Sequence, residues 1–236
     1  MVKKSSELLW LFGIIFVALG VTICSKADLG VSMIAAPAFV ISEAISRYAS
    51  FFSVGVTEYV IQGILLIILC IAIRRFRWKY LLAFAVAVLY GYTLDVFLLI
   101  FEKVSFDAIW LRWVMLIAGD IITAFGVACF FRTYMPLQVY ELFVAEVASC
   151  FKFKLTTVKL IFDISLLVCS AVLAVTLFGD VKEFDWSTIA YASFHSMGLG
   201  TLITTIINSP IIGLMGKLID AIFEKEPLFP KLKKVL

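Results

Sequence analysis

The chain has 236 residues, of which 63% are hydrophobic and only 16% charged, with a formal net charge of +3 and a mean hydropathy of +1.09. Soluble domains carry about 45–50% apolar and about 25% charged residues, so these charges are too few to cover a soluble globule. Apolar runs near the ~20 residues that cross a hydrocarbon core recur along the chain. This composition predicts a multi-pass membrane protein, and the basic residues cluster at predicted helix ends, so we expect no nucleic-acid partner.

Six transmembrane helices are predicted, at 7–25, 52–73, 80–101, 108–131, 156–178 and 187–222. The first follows two lysines, as a secretory signal does, but it lacks a small-residue cleavage site and is long for a signal, so we interpret it as a retained helix. The last is long enough to be broken. Lys and Arg concentrate in cytoplasmic loops. With an inside N-terminus, that side receives Lys3, Lys4, the stretch RRFRWK at 74–79 and the basic tail, so both termini are predicted to lie inside.

Two segments, 26–50 and 132–154, remain between predicted spans. At helical spacing the second places five residues on one stripe: Gln138, Glu141, Ala145, Ser149 and Lys152. Such a stripe is typical of an amphipathic helix lying in the membrane interface or of a re-entrant segment that lines a cavity. The sequence leaves both interpretations open.

An internal repeat orders these elements. ALGVTICSKADLGVS (18–32) lies over AFGVACFFRTYMPLQ (124–138), matching Gly20 to Gly126 and Lys26 to Arg132. Weaker matches place Gln62 on Asp163 and Thr93 on Thr201. Each unit has three spans, an odd number, so the second unit must run through the membrane inverted, a known transporter design.

The predicted fold is therefore an all-α membrane protein with six transmembrane helices in two inverted three-helix repeats. The first repeat covers 1–103, and the second, with a cytoplasmic tail, covers 104–236. Each repeat has a short amphipathic or re-entrant helix after its first span.

Four glycine and proline residues mark the places where a helix is expected to stop or break. Gly30 permits backbone conformations that other residues resist. In HSMGLGTLITTIINSP, Gly198, Gly200 and Pro210 offer two break points in the last span, and broken helices expose backbone groups that bind ions and solutes. Close packing of helices through small residues is the alternative for the glycines.

The glycine near the end of the first helix, KADLGVS after it and GLGTLIT in the last helix resemble the YczE/YitT-type family of small bacterial multi-pass membrane proteins. The resemblance covers nearly the whole chain and implies the bacterial cytoplasmic (inner) membrane. It supplies no substrate or reaction. Many relatives continue Gly-Val-Ser with Pro-Trp-Asp, whereas Met33, Ile34 and Ala35 follow Ser32 here, so no role of that aspartate transfers to this chain.

Charged groups at bilayer depth cost about 2.5–3.5 kcal/mol on insertion scales, so they are retained where they are paired, hydrated or used. Asp120, near the middle of the fourth helix, is either a cavity-facing acid or a neutral group hydrogen-bonded to another helix. Glu58 and Gln62 share a helix face, although Glu58 could simply reach the outer headgroups. Asp163 follows Lys159 by four residues, which also allows a structural pair within the helix.

Asp95 lies nearer the outer end of the third helix and is ambiguous. His195, the single histidine of the chain, is either a structural hydrogen-bonding group or a proton-handling residue. The candidate substrate or proton pathway has eight members: Asp120, Glu58, Gln62, Asp163, His195, Asp95, Thr201 and Asn208.

Enzyme motifs such as HExxH, GxSxG and a phosphate loop are absent from the sequence, and the five scattered cysteines have no metal-ligand spacing. We therefore expect no enzyme, metal or cofactor. The leading interpretation is a secondary transporter of a small organic solute, coupled to protons through a buried carboxylate. Acidic residues outnumber basic ones at mid-depth, which favours cationic or zwitterionic solutes. The alternative is a non-catalytic membrane subunit or assembly factor that binds a partner membrane protein, and a homodimer is also compatible with the sequence.

Overall fold

The computed structural model describes residues 2–46, 48, 52–178, 193–194 and 197–226. Its helices are α1 (Ser6–Lys26), α2 (Ala36–Ser46), α3 (Val54–Ile73), α4 (Lys79–Ile100), α5 (Ile109–Phe130), α6 (Val139–Phe151), α7 (Leu155–Phe178) and α8 (Leu199–Ile222). Four short strands form two separate pairs. β1 (Val2–Ser5) lies parallel to β4 (Phe223–Glu226), and β2 (Ser193–Phe194) lies antiparallel to β3 (Met197–Gly198).

Within the described residues, six helices are long and apolar enough to cross a membrane: α1, α3, α4, α5, α7 and α8. The protein is therefore an all-α multi-pass membrane protein, as composition predicts. The first five spans agree with their predicted bounds to within two residues. The sixth begins at Leu199 rather than at 187, and most of the residues between those positions lie outside the described part of the chain.

Polar and apolar side chains are distributed as a bilayer requires. On α3, Ile67 and Ile71 are 62% and 70% exposed, whereas Glu58 and Gln62 are fully buried. Apolar side chains cost little against lipid, and polar side chains must find partners inside the bundle. The helix bundle accordingly has an apolar outer surface and a polar interior.

Helices α1 and α5 form the tightest interface, and they run antiparallel. An added Cβ at Gly13 would lie 3.3 Å from the carbonyl oxygen of Gly126, and one at Gly20 would lie 2.6 Å from that of Gly119. Residues later in α1 thus meet residues earlier in α5. Both helices carry two glycines seven residues apart, which lets the two backbones approach closely.

The neighbours of each helix recur in the two halves of the chain. Four contacts have a counterpart when each helix of the first half, α1 to α4, is exchanged for the corresponding helix of the second half, α5 to α8. The contact of α1 with α4 corresponds to that of α5 with α8, and the contact of α3 with α4 to that of α7 with α8. The contact of α2 with α3 corresponds to that of α6 with α7, and the contact of α2 with α7 to that of α6 with α3. The contact of α4 with α6 has no counterpart of similar extent. Each short helix therefore packs against the second spanning helix of the other half.

The short helices α2 and α6 enter the bundle rather than lie on its surface. Ala36, Pro37 and Ala38 at the start of α2 are buried, as are Val139 and Tyr140 at the start of α6. The far end of α6 is exposed, with Phe151 at 65%. This burial favours the re-entrant interpretation over the interfacial one, because a helix lying in the interface buries one face along its whole length.

A buried turn connects α1 to α2, and α8 holds it in place. Gly30 has φ +108°, a conformation that side chains resist, and it stands in the turn after α1, which itself ends at Lys26. The backbone N–H of Gly200 donates to the carbonyl of Leu29 at 2.8 Å, and the Thr201 hydroxyl donates to that of Val31, also at 2.8 Å. The first turn of α8 thereby satisfies two carbonyls of the turn.

The predicted break at Pro210 is wrong, whereas the one at Gly198 and Gly200 falls where α8 begins. Pro210 lies inside α8, which continues from Leu199 to Ile222, because packing against α5 and α7 supports the helix across the missing N–H. Gly200 lies in the first helical turn and packs against the backbone of Leu29. Gly198 stands in β3, directly before α8.

One of the sequence matches does not relate equivalent positions. Thr201 lies in the first turn of α8 and is buried, whereas Thr93 lies in the last third of α4 and is half-buried. Short apolar motifs match by chance in several registers, so this match does not support the repeat.

Candidate functional site

Nine buried polar side chains meet in the interior of the bundle, and we call them the central polar cluster. Each is at most 2% exposed. They come from α3, α4, α5, α6, α7 and α8: Glu58, Gln62, Tyr90, Asp120, Tyr140, Glu141, Lys159, Asp163 and Asn208. Burial of so many polar groups is costly unless they are paired or used for binding, so this cluster is the candidate site.

The contact between α3 and α6 forms one end of the cluster. The Tyr140 hydroxyl donates to Glu58 Oε2 at 3.2 Å. Gln62 follows Glu58 by one helical turn and shares its face of α3. The Tyr90 hydroxyl on α4 lies within electrostatic range of both Glu58 and Glu141. Full burial of Glu58 excludes the alternative that its side chain reaches the outer headgroups.

Asp120 and Asn208 form the second part, between α5 and α8. The Asn208 side-chain amide donates to Asp120 Oδ1 at 2.7 Å. Asp120 is fully buried, so it faces the bundle interior rather than lipid, as its depth in the sequence predicts. Its partner stands on another spanning helix, which means that the two predicted site residues belong to one contact.

Lys159 and Asp163 on α7 connect these two parts. Lys159 Nζ lies 2.6 Å from Asp163 Oδ1, and the two side chains are 3% and 0% exposed. The pair confirms the predicted i,i+4 contact. Lys159 and Asp163 are also within electrostatic range of Asp120 on one side and of Glu141 on the other. A change in the charge of one carboxyl therefore alters the electrostatic potential at the other charged groups of the cluster.

Glu141 lies in the first turn of α6, outside the six spanning helices. Burial raises the pKa of its carboxyl to about 7, while the Lys159 ammonium and the Glu141 backbone N–H oppose that rise. A carboxyl with such a pKa changes its protonation near neutral pH, as proton coupling requires.

Many polar atoms of the cluster have no protein hydrogen-bond partner among the described residues: Glu58 Oε1, both amide atoms of Gln62, the Tyr90 hydroxyl, Asp120 Oδ2, Glu141 Oε2, Asp163 Oδ2 and Asn208 Oδ1. Native proteins leave few buried polar atoms unpaired, since each costs about 1–3 kcal/mol. Their concentration in one place gives the cluster hydrogen-bonding capacity that the described residues do not use.

Two predicted site residues, Asp95 and Thr201, are not brought to this cluster. Asp95 accepts hydrogen bonds from the Ser53 hydroxyl at 2.6 Å and the Gly55 N–H at 2.8 Å. It therefore caps the start of α3, where free backbone N–H groups favour a carboxylate. Thr201 holds the α1–α2 turn. His195 lies outside the described residues.

Sequence reasoning missed Tyr90 and Tyr140 as site residues. Tyrosines in apolar helices carry no charge signal, and only the folded structure shows that the Tyr140 hydroxyl binds Glu58 and that the Tyr90 hydroxyl lies within electrostatic range of it. Glu141 belongs to the polar stripe of the 132–154 segment, and that stripe was the available signal. The buried start of α6 carries Glu141 into the bundle.

Comparison with known proteins gives a single family. Residues 4–217 match the model of a family of unknown function, DUF6198. The chain belongs to this family. Membership in DUF6198 carries no activity with it. No curated protein and no solved structure matches the chain. The resemblance to the YczE/YitT-type family and the division at residues 103 and 104 stay predictions.

Proposed function

We propose that the protein is a secondary transporter (permease) of a small organic solute, with the central polar cluster as its binding and proton-coupling site. The observation that carries the proposal is the concentration of unpartnered polar atoms deep inside a six-span bundle. Four carboxyl groups, at Glu58, Asp120, Glu141 and Asp163, share a buried interior with Lys159. Structural needs alone do not explain so many costly groups in one place.

Occlusion of the cluster fits a transporter resting between its two open states. All nine side chains are buried, so a solute reaches them only after the helices move. Ion pairs lie at opposite ends of α5: Arg112 near its start binds Asp28 at 2.9 Å, and Arg132 after its end binds Asp220 at 3.1 Å. Alternate opening of these two ends would expose the cluster to one side at a time.

An inverted repeat would supply the two equivalent states that alternating access needs. The antiparallel α1–α5 contact and the exchangeable pattern of helix neighbours support it. We place the protein in the bacterial cytoplasmic membrane with both termini inside, which rests on the charge bias of the loops and on the family resemblance. In this proposal the protein is not an enzyme, and its ligand is a solute rather than a nucleic acid.

A direct test uses the full chain reconstituted in liposomes that contain a pH-sensitive dye. Cationic, zwitterionic and anionic solutes are added outside, the luminal pH is followed, and the luminal solute is measured by mass spectrometry. We expect uptake of a cationic or zwitterionic solute together with a change in luminal pH, and neither in protein-free liposomes.

Absence of uptake for all three classes would contradict the transporter proposal. Purification of the protein from native membranes with a second membrane protein at constant stoichiometry would then favour the alternative of a non-catalytic subunit or assembly factor.

A further inference from the structure

Five members of the central polar cluster form a group of their own at the meeting of α3, α4 and α6, which we call the α3–α4–α6 group. They are Glu58, Gln62, Tyr90, Tyr140 and Glu141. The Tyr140 hydroxyl binds Glu58, and the Tyr90 hydroxyl lies within electrostatic range of both carboxylates. No member is more than 1% exposed.

Hydrogen-bonding capacity in this group exceeds what the group itself uses. Glu58 Oε1, Glu141 Oε2, the Tyr90 hydroxyl and both amide atoms of Gln62 have no protein partner among the described residues. Gln62 distinguishes this group from a simple pair of acids, because a fully buried amide with neither its donor nor its acceptor paired is rare. Most of the unused atoms are acceptors.

The α3–α4–α6 group also has more acidic than basic side chains. Glu58 and Glu141 bring two carboxyl groups, and within the described part of the chain the cation in electrostatic range of Glu141 is Lys159. Lys159 itself is engaged by Asp163 at 2.6 Å on α7. A ligand that completes the group therefore donates hydrogen bonds, and a positively charged one also holds both carboxyls in their ionised form.

We propose that the α3–α4–α6 group binds the ammonium group of an organic cation, and, resting on the proposed function, that this cation is the transported solute. An ammonium donates three hydrogen bonds, which Glu58, Glu141 and the Gln62 carbonyl oxygen can accept. The rings of Tyr90 and Tyr140 suit the adjoining carbon atoms and the positive charge. A metal ion fits less well, since the described residues contain no group of three acidic, histidine or cysteine ligands placed to hold one.

The test measures binding by the purified full chain in detergent micelles, with n-butylammonium as the probe. Pentanoate serves as the anionic control of similar length, and NaCl and KCl as inorganic controls. Thermal unfolding is followed at increasing probe concentration, because a ligand that binds the folded state raises the midpoint. We expect stabilisation by n-butylammonium alone.

Variants then locate the site. Glu141→Gln and Glu58→Gln should each weaken n-butylammonium binding by about tenfold or more, since each removes a charged hydrogen-bond acceptor. Glu146→Gln is the matched control on α6, where Glu146 pairs with the exposed Arg77 at the protein surface, and it should bind as the wild type does. If a Glu58 or Glu141 variant does not fold, Tyr140→Phe is measured in its place, and it should also weaken n-butylammonium binding.

Equal stabilisation by pentanoate, by Na⁺ or by K⁺, or no stabilisation by n-butylammonium, would overturn the assignment. Selective n-butylammonium binding without uptake of any solute into liposomes would leave the ammonium site standing and contradict the transporter. Uptake of an anionic solute without n-butylammonium binding would support the transporter and contradict the ammonium site.

Discussion

Asp120 shows how the bundle accommodates a residue that is expensive in a membrane. It is fully buried, its Oδ1 accepts a 2.7 Å hydrogen bond from Asn208, and its Oδ2 has no protein partner among the described residues. One oxygen thus has a structural contact while the other remains available for a proton or a ligand. The structural interpretation of Asp120 therefore applies to Oδ1, and the functional interpretation applies to Oδ2.

Replacement of Asp120 by asparagine separates these two roles. The new amide oxygen still accepts the hydrogen bond from Asn208, so we expect Asp120→Asn to fold, with an unfolding midpoint within about 4 °C of the wild type. The variant cannot release a proton, so solute-driven pH change in liposomes should fall to background. Asp107→Asn, in the exposed loop before α5, is the matched control and should behave as the wild type.

Wild-type uptake with an unchanged pH dependence in Asp120→Asn would assign Asp120 a purely structural role. A protein that fails to fold would show instead that the carboxylate, rather than its shape, is needed for packing against α8.

At the scale of elements, the antiparallel contact of α1 with α5 organises the bundle. Gly13 and Gly20 on α1 face Gly126 and Gly119 on α5, and an added Cβ at Gly20 would clash with the Thr123 hydroxyl oxygen. Two helices in lipid gain little from the hydrophobic effect, so close backbone contact through small residues supplies much of their attraction. This interface also places Asp120, one residue after Gly119, toward the interior.

Gly20→Ala should destabilise the protein by about 1–3 kcal/mol, because the methyl group meets backbone atoms of α5 that cannot move separately. Thermal unfolding in micelles measures the effect. Gly213→Ala on α8 is the matched control, since among the described residues its added Cβ would meet only Thr156 Cγ2, at 4.0 Å. That substitution should be neutral or stabilising by up to about 1 kcal/mol, as glycine is unfavourable inside a helix. Equal effects of the two substitutions would show that α1–α5 packing is not the limiting contact.

At the scale of the whole molecule, the number of spans and the loop charges set the arrangement in the membrane. The six helices that are long and apolar enough to span, among the described residues, would place the two ends of the chain on the same side, because an even number of crossings returns to the starting side. Lysine and arginine are frequent before α1 and between α3 and α4, and acidic residues dilute them in the loop after α4. The charge bias therefore predicts an inside location for both ends.

A reporter fused after Leu236 should be inaccessible from outside intact cells, because the bias holds the basic tail in the cytoplasm. A second reporter inserted after Ser105, between α4 and α5, is the control and should be accessible. An accessible C-terminal reporter would contradict the orientation, and reporters on the same side would contradict the count of spans.

Sequence alone determined the membrane class, the six spans and the cost of each buried charge. These properties follow from local composition, since the number of apolar residues in a helix decides whether it can cross a hydrocarbon core. Asp120, Glu58, Gln62 and Asp163 were predictable for the same reason: a charged or amide side chain in an apolar run needs a partner or a use. The conformation of Gly30 was predictable because glycine alone adopts it freely.

Only the tertiary structure decided which of these residues share a site. Asp95 and Asp120 have similar sequence surroundings, yet Asp95 caps α3 and Asp120 faces Asn208. Tyr90 and Tyr140 became site residues because α4 and α6 bring them to Glu58. Likewise α8 continues through Pro210 because neighbouring helices support it. Partnerships between residues far apart in the chain depend on helix packing, and a local pattern contains no information about which helices become neighbours.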